Sequence, residues 1–320
     1  MALFSDVIGQ PQATGLLTQV LSRCRIAPAY LFVGPSGIGK RLTAQRFAAA
    51  LLTQAPVKGA ALQSPDQRFY PDLLWVEPTY LHQGQRLTPA EAELAGVKRR
   101  SPPQIRLELV REMTRFLARP PLNAPRSVVV IDGAEAMAEP AANALLKTLE
   151  EPGNATLLVI AHSSELLPTI ISRCQKVPFQ RLSGEDMAAV LQRQGAIELL
   201  ARPDLLSMAQ GSPGRAIAAL NQWNQLSIET KEALDHLPTD VRQALTMAQS
   251  LAGELDVEAQ LWAIDYLQHH DYGKGDPSHS WAVCRRRLQT LEQARQQLQR
   301  YVQPRLVWEV ALMSLAGALP

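Results

Sequence analysis

The chain has 320 residues, a formal net charge of +2, and 46% hydrophobic but only 5% aromatic residues. That length exceeds what one core ordinarily holds, so two or three domains of about 100–200 residues each are expected. A nearly balanced charge argues against a protein that grips nucleic acid unaided, because such binders carry a clear basic excess.

Three cysteines, Cys24, Cys174 and Cys284, lie far apart and form no C-x-x-C pair, which speaks against a disulfide framework or a zinc site. The start Met1-Ala2-Leu3-Phe4-Ser5-Asp6 lacks the charged and apolar regions of a signal peptide. No apolar run approaches the ~18 residues of a membrane span. The expectation is a soluble, cytoplasmic protein with free thiols and no membrane partner.

Over roughly the first 180 residues, short apolar runs alternate with amphipathic stretches, which predicts a parallel sheet flanked by helices. The predicted strands are Tyr30–Val33, Leu73–Val76, Ser127–Ile131, Leu157–Ala161 and Lys176–Phe179. Most are continuous apolar runs, as strands covered on both faces require. Gln104–Leu117 places Ile105, Leu109, Val110, Met113, Phe116 and Leu117 on one helical face. Pro140 opens a further helix that stops before Pro152. Between Thr79 and Pro103 the pattern breaks down into a surface insertion or loop carrying Lys98-Arg99-Arg100, a triplet suited to solvent or to a phosphate backbone.

After Phe179 strand signals vanish. Ser183 with Asp186 forms a capping-box start, and Ser212-Pro213 opens another helix. Val257–Leu267, Trp281–Val302 and Leu306–Ala318 read as helices, the second basic through Arg285-Arg286-Arg287, Arg295 and Arg300. The predicted organisation is an α/β domain over 1–179, a helical lid over 180–222 and a helical C-terminal domain over 223–320.

Gly34-Pro35-Ser36-Gly37-Ile38-Gly39-Lys40-Arg41 matches a phosphate-binding loop at every position but the last. Its glycines let backbone N–H groups curl round an anion, the helix that follows adds its dipole, and Lys40 suits the β- and γ-phosphates. The motif ends in Ser or Thr because that hydroxyl ligates Mg²⁺, and Arg41 cannot. Ser127–Asp132 supplies the matching apolar strand and its aspartate, which either orients a metal-bound water or merely ends a strand. Gly133 then stands where a water-activating Glu is expected, with Glu135 two residues further on.

Val7-Ile8-Gly9-Gln10, Tyr30–Pro35, Ala141–Pro152 with its Leu145-Leu146-Lys147-Thr148-Leu149-Glu150-Glu151, and Leu167–Cys174 with its Ser172-Arg173-Cys174 resemble the bacterial clamp-loader ATPases of the AAA+ family. Within that family the chain is most similar to the delta-prime branch found in DNA polymerase III. The resemblance covers roughly residues 1–220 and thins beyond. It implies an AAA+ P-loop domain with a five-stranded parallel sheet, a small lid and an all-α collar that packs against other subunits. It also implies that Arg173 is an arginine finger acting in trans on the ATP of a neighbouring subunit; the alternative is a local pair with a carboxylate. Arg215 matches the sensor 2 position, or serves only lid packing. Sensor 1 falls at His162 or Ser163. Implied partners are gamma/tau and delta subunits, with the sliding clamp and primed DNA reached through the complex.

The chain departs from the family in lacking the four cysteines of a zinc module over about Thr53–Pro71, so no zinc is expected, and in carrying Pro28 where a histidine is common. The expected function is a clamp-loader stator whose own pocket holds ATP or ADP weakly or not at all. The rival is a gamma/tau-like ATPase with Arg41 turned outward and Glu135 recruited as base. A third reading is an adaptor that docks another anion on its phosphate loop.

Overall fold

The computed structural model describes residues 3–53, 70–96, 102–151, 153–162, 166–273, 281–300 and 302–317. The chain divides into two compact units, Met1–Asp186 and Met187–Pro320. Among the described residues no helix is long and apolar enough to cross a membrane.

In the first unit, α1 (Pro11–Ser22) precedes β1 (Ala29–Val33), which leads through the glycine loop into α2 (Lys40–Thr53). There follow β2 (Leu73–Val76), a hairpin of β3 (Tyr80–His82) and β4 (Gln85–Leu87), α3 (Pro89–Leu94) and α4 (Leu107–Leu117). Then come β5 (Ser127–Asp132), α5 (Glu139–Glu150), β6 (Ala155–Ala161), α6 (Pro168–Ile171), β7 (Gln175–Pro178) and the start of α7 (Gly184–Arg193).

Five strands form one parallel sheet in the order β2-β5-β6-β1-β7. The two central apolar strands, β5 and β6, are buried at every residue. Only strands with helices on both faces can be so uniformly apolar. The connection after β1 runs to the far edge strand β2, while that after its neighbour β6 crosses to β7 on the other side, so the loop after β1 lies at a topological switch point, where sheets of this kind bind ligands. Leu145, Leu149, Val110, Met113 and Ile170 bring α4, α5 and α6 into the same apolar cluster as the sheet.

The stretch read as a loop over 79–103 is more ordered than its composition suggests. Gln83 and Gly84 both take left-handed backbone (φ 50° and 81°), the turn conformation that matches hairpin twist. Arg86 clasps Glu112 of α4 through both terminal nitrogens, at 2.8 and 3.2 Å. Thr88 and Glu91 form a reciprocal cap at the start of α3. Strands of three residues are too short to carry an alternation, so pattern alone could not find them. The predicted helix from Gln104 begins instead at Leu107, because Gln104 and Ile105 make bridges with Thr79 and Met137. Residues 98–100, with the basic triplet, lie outside the described residues.

The second unit is all helical: the rest of α7, α8 (Pro203–Ala209), α9 (Pro213–Gln225), α10 (Ile228–Asp235), α11 (Val241–Glu254), α12 (Val257–Gly273), α13 (Trp281–Gln299) and α14 (Pro304–Leu315). Ser212 caps α9 by accepting from the Arg215 N–H, as the Ser-Pro pair predicts. One apolar cluster runs from Met187 to Leu312, so helices on both sides of residue 222 share a core. Within it the Tyr266 hydroxyl donates to Asp235 at 2.8 Å, and burial together with that bond raises its pKa. The Arg202 guanidinium lies 4.3 Å over the Trp223 ring and pairs with Asp204 at 2.6 Å.

Asp72, just before β2, is a keystone of the sheet edge. It is 4% exposed and accepts the backbone N–H groups of Leu122 (2.6 Å), Asn123 (2.8 Å) and Ala124 (2.7 Å). Burial opposes its ionisation, but the three N–H donors outweigh burial and hold the carboxyl below its ordinary range. Asp72→Ala should destabilise the first unit by about 2–3 kcal/mol in chemical denaturation, since charge-assisted bonds of this kind are expensive to lose. The Asp72 contribution is full above the ordinary carboxylate pKa and is lost as pH falls through the lower folded value, so wild type and Asp72→Ala should converge in acid.

Candidate functional site

The loop after β1 is built by its glycines. Gly34, Gly37 and Gly39 take φ of 153°, 74° and 97°, which side chains rarely adopt. At Gly34 a Cβ would also sit 2.5 Å from the carbonyl oxygen of Phe179. Gln10, 4% exposed, braces the loop: its Nε2 donates to the Ile38 carbonyl at 3.2 Å and to the Gln180 carbonyl at 2.7 Å. Its Oε1 accepts the Gln180 N–H at 3.0 Å. The sequence reading used Gln10 only as part of a motif. Its bracing role depends on a residue 170 positions away and had no local signal.

Lys40 opens α2 with its side chain buried. Its Nζ donates to the Gly34 carbonyl at 2.6 Å and also to the Pro35 carbonyl, so the ammonium is folded back onto the loop that carries it. Burial pushes its pKa down to about 8, against the pull of Glu135 and Asp132. Below that value the ammonium supplies the positive charge for an anion, and above it that charge is lost.

Arg41 points inward. Its Nη1 donates to Asp132 Oδ2 at 3.0 Å and its Nη2 lies 2.5 Å from Glu77 Oε1. The guanidinium sits 5.0 Å from the centre of the Trp75 ring. The second Asp132 oxygen lies 3.6 Å from His162 Nε2. Both oxygens of the aspartate that would orient a metal-bound water are thus faced by groups of the chain itself. Arg41 is about half exposed, so the pair is screened and worth at most about 1 kcal/mol. Its significance is occupancy rather than stability. Glu77 was not singled out from sequence, because nothing marks a carboxylate after β2 as the partner of a loop arginine.

Gly133 adopts left-handed backbone, φ 71°, and a Cβ there would meet Pro78 Cγ at 3.1 Å. An acid at this position therefore costs about 1–2 kcal/mol of backbone strain before it performs any chemistry. Glu135 is spent elsewhere, with its Oε2 accepting the His162 N–H at 3.1 Å. Ser163, the other sensor 1 candidate, lies outside the described residues.

A magnesium ion does not fit these residues. The hydroxyl ligand is missing, Asp132 already holds a cation, and among the described residues no cluster of three or more His, Cys, Asp or Glu could bind a metal. The glycine loop keeps the backbone of a phosphate cradle. Most of the 53–71 stretch read as lacking a zinc module lies outside the described residues. Cys174 is partly buried, and burial pushes its thiol up to about 11, so it is a poor nucleophile.

Arg173 follows α6 and lies beside the end of α5. Its Nη2 and Nε donate to Glu150 Oε1 at 2.6 and 3.1 Å, and its Nη1 to the Thr169 carbonyl at 3.0 Å. The guanidinium remains about one-third exposed. Arg215 belongs to the second unit, in the first turn of α9.

A family model described as "DNA polymerase III, delta subunit" matches residues 9–183, and one described as "Cyanobacterial DNA polymerase III delta prime, C-terminal domain" matches residues 185–315. The DNA polymerase III subunit delta-prime of Pseudomonas aeruginosa is 37% identical over 215 residues, which are 63% of this chain and 58% of that protein. The DNA polymerase III subunit tau of Bacillus subtilis is 28% identical over 237 residues, 68% of this chain and 37% of the relative. The chain therefore spans 58% and 37% of the length of these two relatives. The crystal structure of a DNA polymerase III gamma subunit-related protein from Thermotoga maritima superposes with a TM-score of 0.58 at 15% identity, over 96% of this chain and 99% of that one. At that identity the likeness establishes the fold.

Because Arg41 already neutralises Asp132, calorimetric titration of the chain with ATP should give the same weak or absent heat with Mg²⁺ as with EDTA. Arg41→Thr should introduce a dependence on Mg²⁺. A tenfold rise in wild-type affinity on adding Mg²⁺ would show that the arginine vacates the site.

Proposed function

The chain belongs to the clamp-loader-type DNA polymerase III delta-prime family, and on that footing we propose that it is a non-hydrolysing subunit of a clamp loader, a stator that completes a neighbour's ATP site. The observation that carries this reading is the inward-turned Arg41, seated on Asp132 and Glu77, beside a Gly133 that resists an acidic replacement. A pocket so arranged has no means of holding a metal or of activating water. The gamma/tau-like rival requires Arg41 to face outward and Glu135 to be available as a base. The side-chain positions favour neither requirement.

In this reading residues 1–179 are the AAA+ domain, 180–222 the lid and 223–320 the collar. Arg173 is presented to the ATP of an adjacent gamma/tau-type subunit, where a planar, permanently charged fork neutralises charge that develops on transferring phosphate. The surface of the second unit supports an assembling role: α11 and α14 leave Val241, Leu245, Leu306 and Val310 substantially exposed, an apolar display suited to packing against other subunits. With delta and gamma/tau partners, ATP binding by the partners would close the assembly on the sliding clamp and primed DNA, in the cytoplasm. Arg215 serves lid packing, or a sensor of whatever weakly bound ATP or ADP its own pocket retains.

Arg173→Ala should leave assembly intact and reduce hydrolysis at the neighbouring site by about 10³-fold or more, the scale of an arginine finger. Rapid-quench measurement of one turnover on the reconstituted complex reads this directly, and unchanged hydrolysis would remove the finger role. The chain assayed alone, with DNA and clamp present, should release no phosphate above background. Turnover at the rate of a working ATPase would return the assignment to the rival.

A further inference from the structure

We propose that Glu150 is a positioning residue for Arg173, clamping the guanidinium in cis so that its remaining N–H groups are aimed at a phosphate held by another subunit. This rests on the reading of Arg173 as a trans-acting finger.

A guanidinium has five N–H donors. Three are committed inside the chain: Nε and one hydrogen of Nη2 to Glu150 Oε1, at 3.1 and 2.6 Å, and one hydrogen of Nη1 to the Thr169 carbonyl, at 3.0 Å. What is left is one hydrogen on each terminal nitrogen, a two-pronged donor of the kind that matches a pair of phosphate oxygens. Glu150 is therefore compatible with phosphate recognition and need not be displaced by it.

The clamp is mounted on fixed supports. Glu150 is the last residue of α5, whose Leu145 and Leu149 are buried in the sheet cluster, and Thr169 lies on α6, held by buried Ile170. An arginine side chain has several rotatable bonds, and a productive contact has to freeze them. Fixing them within the free subunit moves that cost out of the catalytic step, which is how a preorganised site gains rate. Arginine needs no neighbour to keep it charged, so the carboxylate's contribution is direction rather than ionisation. With Arg173 and Glu150 side chains 36% and 52% exposed, the clamp is screened by water and its effect is modest.

The test uses the reconstituted complex, with kcat and KM for ATP measured for each variant. Glu150→Ala should lower kcat about 3–5-fold, the range an exposed ion pair can supply, with KM unchanged within about twofold. Glu150→Gln keeps an acceptor oxygen and should retain at least about half of kcat. In an Arg173→Ala background, Glu150→Ala should cost nothing further, which a merely structural role would not produce. A kcat that is unchanged or higher in Glu150→Ala would overturn the proposal, the higher value marking the carboxylate as a competitor of phosphate. Additive loss in the double variant, or failure of Glu150→Ala to assemble, would overturn it equally by assigning Glu150 to packing. Arg173→Ala alone separates the levels: if it leaves turnover intact, the finger reading itself falls. If it abolishes turnover while Glu150→Ala does nothing, only the positioning role falls.

Discussion

Two carboxylates at the carboxyl ends of adjacent strands, Asp132 on β5 and Glu77 just past β2, need a cation between them, because like charges brought together at a half-buried site raise each other's energy. In a nucleotide hydrolase the cation arrives with the substrate. Here it is attached to the chain, at the second residue of α2, and is further held by the face of Trp75. The acidic side of the pocket is thereby neutralised by the chain itself. Lys40, turned back onto the carbonyls of Gly34 and Pro35, completes the same logic on the phosphate side. On the stator reading proposed above, a site that satisfies itself has little to gain from closing on a nucleotide.

Much of this was legible in the residues. Most strands of the sheet declared themselves as apolar runs, since burial on both faces leaves no room for polar alternation, whereas the edge strand β7 is polar and exposed at its first two residues. The caps at Ser183 and Ser212 followed from local chemistry within three residues. The glycine loop and its missing hydroxyl could be read outright. What stayed hidden depended on long-range contact: Arg41 finding Glu77, Gln10 bridging to residue 180, Arg173 meeting Glu150. Sequence could establish that Arg41 is no metal ligand, but its inward direction is decided by where two acids emerge from the sheet. The β3–β4 hairpin escaped for another reason: three-residue strands anchored by a turn and one arginine–glutamate clasp have no periodicity to detect.

The second unit shows the same division. Its helical character and the start of α9 were legible from composition and caps, while α8, α10 and α11 were not singled out; polar contacts add to one apolar core. Tyr266 reaches Asp235 and Asp204, Arg202 covers Trp223, and the Trp308 indole donates to the buried Gln260 at 3.0 Å. Satisfied buried and part-buried polar groups of this kind favour one arrangement of helices over the many that apolar surface alone would permit. A subunit read as a rigid support benefits from that uniqueness.

Gly133 bears on how such a protein can change over generations. Any side chain there must accept left-handed backbone and press on Pro78, so acquiring an acid is penalised before it brings a benefit. The benefit itself would wait on a separate change at residue 41. Two steps, the first of them a handicap, form a fitness valley rather than a slope. On the reading proposed above, neither change alone supplies a catalytic centre, and both must be present together before one could form.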